Sequence, residues 1–342
     1  MGEVHSTFFH SLIQMSGTIL GFALIFALFA FLSNLFGRFA KIKPQNSLLI
    51  LPDAEGNKEW LSKSAPVLLQ ISIAGTIGKE DLSLEQIETQ LAESQMGDLR
   101  KDRVKGILLK IDSPGGAATD SDAIYRRLKA YKAKHGIPIY AYVEGICASG
   151  SFLAACAADK IFASPTSIVG SVGVMWMLPF FNVHKVLEKW EIDVKTFSKG
   201  KHKDHLNPFR PWHPGEDSDL KNLLSHAYSR FVDLVSKERP KLTQEKLIHE
   251  IGAQIYSAPE SAHLGFIDDG ESDYPAALKA LAEACGLKKE SYQVVELKKK
   301  KAWLKEMMAR SPLFTGRVQH ELKIGGQSVS NESPQIAYLF TH

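Results

Sequence analysis

The hydrophobic pattern of the chain changes character twice. From Gly17 to Phe36 (GTILGFALIFALFAFLSNLF) nearly every position is apolar, and no Lys, Arg, Asp or Glu occurs between Glu3 and Arg38. About 20 such residues span a bilayer as a helix. A cleaved leader needs basic residues before its apolar run and a small-x-small site after it. This stretch has neither, which predicts a retained anchor. Arg38, Lys41 and Lys43 follow the run, a weak vote under the positive-inside tendency for a cytoplasmic main domain; the side of the membrane stays open. Lys43–Ser64 is polar and reads as a linker.

Beyond Ser64, short apolar runs alternate with helical periodicity. Val67–Ile73 (VLLQISI), Val104–Ile111, Ile139–Val143 and Lys160–Ala163 read as strands, with extended chain at Val194–Ser198. Leu82–Met96, Asp120–His135, the stretch from Ser149 to Ala158, and Asn182–Trp190 read as helices; Gly136 and Pro138 end the second. Strands alternating with helices imply an α/β fold, a mostly parallel sheet with crossover helices. Gly200–Gly215 is basic, His-rich and Pro-broken, hence a loop. Helices follow at Asp217–Lys237, Thr243–Gly252, Pro259–Leu264 and Tyr274–Cys285, then a tail with the basic run Lys298–Lys301. That run is a solvated charge cluster or, beside a membrane, a contact for anionic headgroups.

Composition narrows this reading little. With 44% apolar and 23% charged residues in 342, the chain is an ordinary globular one. A net charge of +3 is too slight to imply a nucleic-acid partner. Cys147, Cys156 and Cys285 show neither metal-ligand spacing nor a disulfide framework.

The candidate chemistry centres on Gly145–Asp159 (GICASGSFLAACAAD), where an apolar strand runs through small residues into an Ala-rich helix. Ser149 at that junction sits beside the first free N–H groups of a helix, where developing negative charge is favoured. It is a nucleophile or an N-cap; serine suits both. Gly115-Gly116 ends the strand before it, where glycines let backbone N–H groups approach a ligand as an oxyanion hole requires. An ordinary turn after Pro114 explains the pair equally well. A serine nucleophile needs a base. The G-x-S-x-G elbow is absent, since Cys147 and Ser151 take the places of its glycines. His202, His205 and His213 cluster in the later loop, which also offers Lys203. A lysine base must titrate near neutrality, and a drop from about 10.4 to about 7–8 costs roughly 4 kcal/mol. His202-x-x-His205 with Asp204 lacks a further ligand, so no metal or other cofactor is assigned. Cys147 fits a small core residue better than a thiol nucleophile.

The motifs fall in one order: Asp-Ser-Pro-Gly-Gly at 112–116, Ala-Ser-Gly at 148–150 with Ala157-Ala158-Asp159-Lys160-Ile161, Val169-Gly170-Ser171-Val172-Gly173-Val174, and Gly200-x-x-Lys203-Asp204. Together they resemble the serine–lysine signal peptide peptidase A family, its short SohB-type members above all, over Val67–Asp269. The resemblance implies a ClpP/crotonase-like core, carried here by residues 65–287 between an anchor (1–44), a linker (45–64) and a basic, partly flexible tail (288–342). It implies a serine endopeptidase of the bacterial inner membrane with Ser149 as nucleophile and Lys203 as general base. The oxyanion would be held by the N–H groups of Gly116 and Gly150, and Ser171 would orient Lys203. It also implies peptide or signal-peptide substrates, a lipid contact through 17–36, and a ring of about eight subunits in which one chain's lysine completes its neighbour's serine. The family reads Ser-Gly-Gly at the nucleophile, and Ser151 departs from it. The rivals are a crotonase-like acyl-CoA enzyme, in which Ser149 and Lys203 have no role, and a non-catalytic peptide-binding or scaffold ring, which only Ser151 favours.

Overall fold

The structure, a computed structural model, describes residues 46–298 except 80, 81 and 290, with Leu28 and the backbone of 323–324, 327–328 and 336–339. Apart from Leu28, the expected anchor, Gly17–Phe36, lies outside these residues; among the described residues no helix is long and apolar enough to cross a membrane. The chain forms two compact units, Met1–Ser47 with Lys298–Gln319, and Leu48–Leu297 with His320–His342. The second carries every candidate site residue.

The strands are β1 (Ser47–Leu51), β2 (Val67–Ala74), β3 (Val104–Ser113), β4 (Gly115–Ala117), β5 (Ile139–Ala148), β6 (Lys160–Ala163), β7 (Ile168–Gly170), β8 (Met175–Trp176), β9 (Ile255–Ser257), β10 (Gln293–Lys298), β11 (Lys323–Ile324), β12 (Gln327–Ser328) and β13 (Ile336–Leu339). The helices are α1 (Leu84–Glu93), α2 (Ala118–His135), α3 (Gly150–Ala155), α4 (His184–Lys189), α5 (Ser218–Glu238), α6 (Ala258–Leu264) and α7 (Tyr274–Ala284). This is a mixed α/β fold. Thr243–Gly252 contains only one wide turn, Lys246–Ile251, and Val194–Ser198 joins no sheet.

The main sheet runs β1-β10-β2-β3-β5-β7-β9, with β6 also on β5. β10, β2, β3, β5, β6 and β7 pair in parallel, and β9 closes the edge antiparallel. β1 falls within the expected linker and β10 beyond residue 287, yet both extend this sheet. Both sheet faces are covered. Leu69, Ile71, Ile107, Leu109 and Val143 pack toward α2 and α3, while Leu68, Leu108, Tyr140 and Tyr142 pack with Leu278 and Leu281 of α7. This double burial is why VLLQISI reads as an unbroken apolar run rather than an alternating one. Each such Leu or Ile contributes about 1.5–3 kcal/mol over its exposed state.

β5 is forked. Its first half, Tyr140–Val143, pairs with β6, and its last residues, Ile146–Ala148, pair with β7. The fork carries the chain past Val143, longer than its apolar run predicts, and delivers Ser149 beside the end of β7. Asp112 holds the second half in place by accepting the Ile146 N–H on its carboxylate at 3.0 Å.

Candidate functional site

The carboxyl ends of β3, β5 and β7 converge, the usual location of sites in open α/β sheets. Ser113 pairs with Cys147 and Ala148 with Gly170, so the residues that follow each strand become neighbours.

Ser149 is the residue between β5 and α3. It is 1% exposed and has φ 57 and ψ −119, values that a type II′ turn asks of its first central residue, usually glycine. The backbone is fixed from both sides: its N–H donates to Gly170 O at 2.8 Å, and its carbonyl accepts from Leu153 N at 3.0 Å. It stands at the N-cap position, but its side chain makes no capping bond. Among the described residues its buried Oγ has no hydrogen-bond partner. The ordinary role of a serine here is therefore unfilled. Strained backbone with an unpartnered buried hydroxyl is a combination that functional sites retain.

The glycine pair forms β4. Ile77 N donates to Gly115 O at 2.8 Å and Ala117 N donates to Ile77 O at 2.9 Å. Since strand groups alternate in direction, the N–H and C=O of Gly116 point to the opposite edge. A Cβ on Gly116 would lie 2.0 Å from Ile77 O, so only glycine allows this approach. Ser113 Oγ donates to Gly75 O at 2.6 Å and ties the strand end to the 75–78 turn. That free edge is taken by an extended segment: β13 pairs antiparallel with β4, Tyr338 opposite Gly116, and with β8, Ile336 opposite Trp176. This pairing is not legible from the sequence, because the partner lies over 200 positions away.

Ser151, the departure from the family pattern, is fully buried, with its Oγ 2.6 Å from Ser113 O and 2.9 Å from Ala148 O. Its hydroxyl joins the helix start to the end of β3. Burial pushes the Cys147 thiol far up from its ordinary value and Cys156 up to about 12, so both are inert core residues. Gly150 opens α3, and its N–H is one of the helix's unpaired donors. Ser171 has φ 58 and follows Gly170, the residue whose carbonyl receives the Ser149 N–H. Ser171 N in turn donates to Gln254 O at 2.7 Å.

Lys203 is not brought onto Ser149 within one chain. It is solvent-exposed, and no described group lies within hydrogen-bond distance of Ser149 Oγ. Its loop is nonetheless held. Arg210 bonds Asp204 Oδ2 and Glu216 Oε1, each at 2.6 Å, and Glu216 accepts the N–H groups of Leu206 (2.8 Å) and His213 (3.0 Å). Hydrogen bonding to Arg210 lowers the Asp204 carboxyl below its ordinary value and Glu216 to about 2. Around this loop Phe181, Trp190, Ile192, Phe197 and Phe209 are exposed, Phe197 by 84%.

Fold and site define a class: an α/β protein with a strained, unpartnered serine at a strand–helix turn, next to a glycine strand whose edge accepts an extended chain. Residues 131–288 match peptidase family S49. A protease-named protein of Methanocaldococcus jannaschii is 34% identical over 185 residues, 54% of this chain and 58% of that one. A signal peptide peptidase named SppA, of Enterococcus faecium, is 31% identical over 207 residues, 59% of each. The matched stretch thus spans a little over half the length of these relatives. Among solved structures, a ClpP1 variant from Listeria monocytogenes matches with a TM-score of 0.40 at 17% identity, over 61% of this chain and 94% of that one. Over the matched stretch, which includes the Ser149 turn, the chain is similar to peptidase family S49 and to proteases named SppA and SohB.

Proposed function

We propose that this protein is a membrane-anchored serine endopeptidase in which Ser149 is the nucleophile and Lys203 the general base. The observation that carries the reading is Ser149 itself: buried, held at positive φ, at a cap position whose bond it does not make. In the reaction, neutral Lys203 takes the Ser149 proton as Oγ attacks the scissile carbonyl. The N–H groups of Gly116 and Gly150 hold the oxyanion, and the lysine returns its proton to the leaving amine. Water, activated by the same lysine, then releases the acyl group. Ser171, beside the turn, orients the lysine.

The substrate is an extended apolar peptide that adds as a strand between β4 and β8. The antiparallel seat of β13 on both strands supports this mode of binding, and remnant signal peptides or membrane-protein segments suit an enzyme anchored through Gly17–Phe36. The exposed Lys203 and the uncovered aromatics around it support assembly into a ring, in which a neighbour brings its lysine to each serine and covers this apolar surface.

The test is labelling of the purified chain with a serine-directed fluorophosphonate, alongside casein cleavage. Wild type is expected to label and cleave, and Ser149→Ala to do neither. Absence of both in wild type, or unchanged cleavage by Ser149→Ala, overturns the reading; binding of a CoA thioester in their place would assign the fold to acyl-CoA chemistry.

A further inference from the structure

The loop that carries Lys203 holds a second cluster that the peptidase chemistry does not use. His202 and His205 stack with ring centroids 4.3 Å apart, and both face Asp219, the second residue of α5. His202 Nδ1 is 2.8 Å and His205 Nδ1 4.0 Å from the same oxygen, Asp219 Oδ2. One ligand atom from each of the three lies within 4.8 Å of the other two. We propose that His202, His205 and Asp219 bind a divalent transition-metal ion, with zinc the best match to the donors, and that the ion ties the Lys203 loop to the start of α5.

Three features carry this beyond an ordinary histidine–carboxylate hydrogen bond. Among the described residues His205 Nδ1 is buried without a hydrogen-bond partner, and a proton cannot bridge it to an oxygen 4.0 Å away. A metal ion can, because tetrahedral zinc at about 2.0–2.1 Å from each ligand holds its ligands roughly 3.3 Å apart. The separations of 2.8 and 4.0 Å bracket that value. The neighbouring carboxylates are engaged elsewhere: Asp204 and Glu216 by Arg210, Asp217 by Lys221. Asp219 is the one aimed at the two imidazoles. This also corrects the ligand that local spacing suggests, since Asp204 points to Arg210 and Asn207 instead.

The donor set selects the ion. Two imidazole nitrogens and one carboxylate suit zinc and its neighbours in the transition series, whereas magnesium and calcium take oxygen ligands. His202 and Asp219 are partly exposed, which leaves a coordination position open to water. Coordination would fix residues 202–205 against α5 and so fix the backbone of Lys203 between the two histidines. That consequence rests on the peptidase reading; the binding itself does not.

The experiment is calorimetric titration of Zn²⁺ into the tag-free full chain in detergent, in the Ser149→Ala background so that binding is measured without catalysis. One saturable site per chain is expected. Affinity should fall in His202→Ala, His205→Ala and Asp219→Asn by at least the roughly 10–100-fold that loss of a mere outer-shell partner costs. His226→Ala, on the exposed surface, should bind as the parent does. Co²⁺ should give tetrahedral visible bands in the parent chain, a readout that needs no further variant, and Zn²⁺ should slow amide exchange over 200–206. No saturable site, or a site that survives all three ligand substitutions, overturns the proposal.

Discussion

The Ser149 turn and the excursion from Met175 to Trp212 are built in opposite ways, although the proposed chemistry needs one residue from each. The turn is over-determined: β5, β7 and α3 fix Ser149 from both sides, every residue of α3 is buried, and even Ser151 has its hydroxyl bonded to two carbonyls. Such a frame can hold a backbone strained by about 1–3 kcal/mol. In the excursion the polar contacts are local, chiefly Arg210 with Asp204 and Glu216, while Trp190 and Phe197 face solvent at 71% and 84% exposure. A region that is internally tied but externally apolar is shaped to meet another surface. The difference is that Ser149 is fixed on every side within one chain, whereas Lys203 sits on a loop whose outer surface is left uncovered.

That contrast breaks most visibly under complementation. Ser149→Ala and Lys203→Ala should each lose activity by about 10⁴-fold or more. Lys203→Ala should leave stability within about 0.5 kcal/mol, as exposed substitutions do. If a neighbour's lysine completes each serine, a co-expressed mixture of the two dead variants regains about one quarter of wild-type peptide hydrolysis through random assortment in a ring. A mixture that stays inactive would place the dyad within one chain and require the loop to swing onto its own turn.

The next largest effect belongs to the buried side alone. Gly116→Ala pushes a Cβ to within 2.0 Å of Ile77 O and 2.6 Å of Ile77 N. Backbone cannot yield cheaply there, so β4 must move. A loss of about 3 kcal/mol or more in urea unfolding is expected, together with loss of cleavage. A Gly116→Ala chain with wild-type stability would mean that Ile77 yields to a Cβ and that the close approach of β4 does not require glycine.

These two regions also differ in how much of them can be read from sequence. The turn is local in the chain: Ser149 follows its strand and precedes its helix within a few residues, so spacing alone marks it, and the Gly115-Gly116 pair announces itself by composition. What escapes is whatever depends on pairing across long separations. The capping bond of Ser149 is equally compatible with the sequence, and only the fork of β5 onto β7 shows that it is not made. That Asp219 rather than Asp204 faces His202 is invisible in the sequence, because only the Arg210 network shows Asp204 turned away. β10 and β13 reach their neighbours across more than 200 positions, and nothing in a six- or four-residue apolar run says which edge it will join.

The sharpest test of the comparison is the smallest in magnitude. If Ser149 is held at φ 57 by its surroundings rather than by its own preference, relieving the strain should stabilise the protein even as it destroys the chemistry. Ser149→Gly removes the Cβ that makes positive φ costly, while Ser149→Ala keeps it. Both lack the proposed nucleophile, and neither loses a hydrogen bond to the described residues, because Oγ makes none among them. Glycine gains back about 1–3 kcal/mol of strain and gives up about 0.4–1 kcal/mol to the greater freedom of the unfolded chain. The Ser149→Gly chain should therefore melt about 2–4 °C above Ser149→Ala, the shift that roughly 1 kcal/mol produces in a domain of this size. Equal melting temperatures, or a more stable alanine variant, would show that the turn carries no stored strain and that burial alone distinguishes it from the loop.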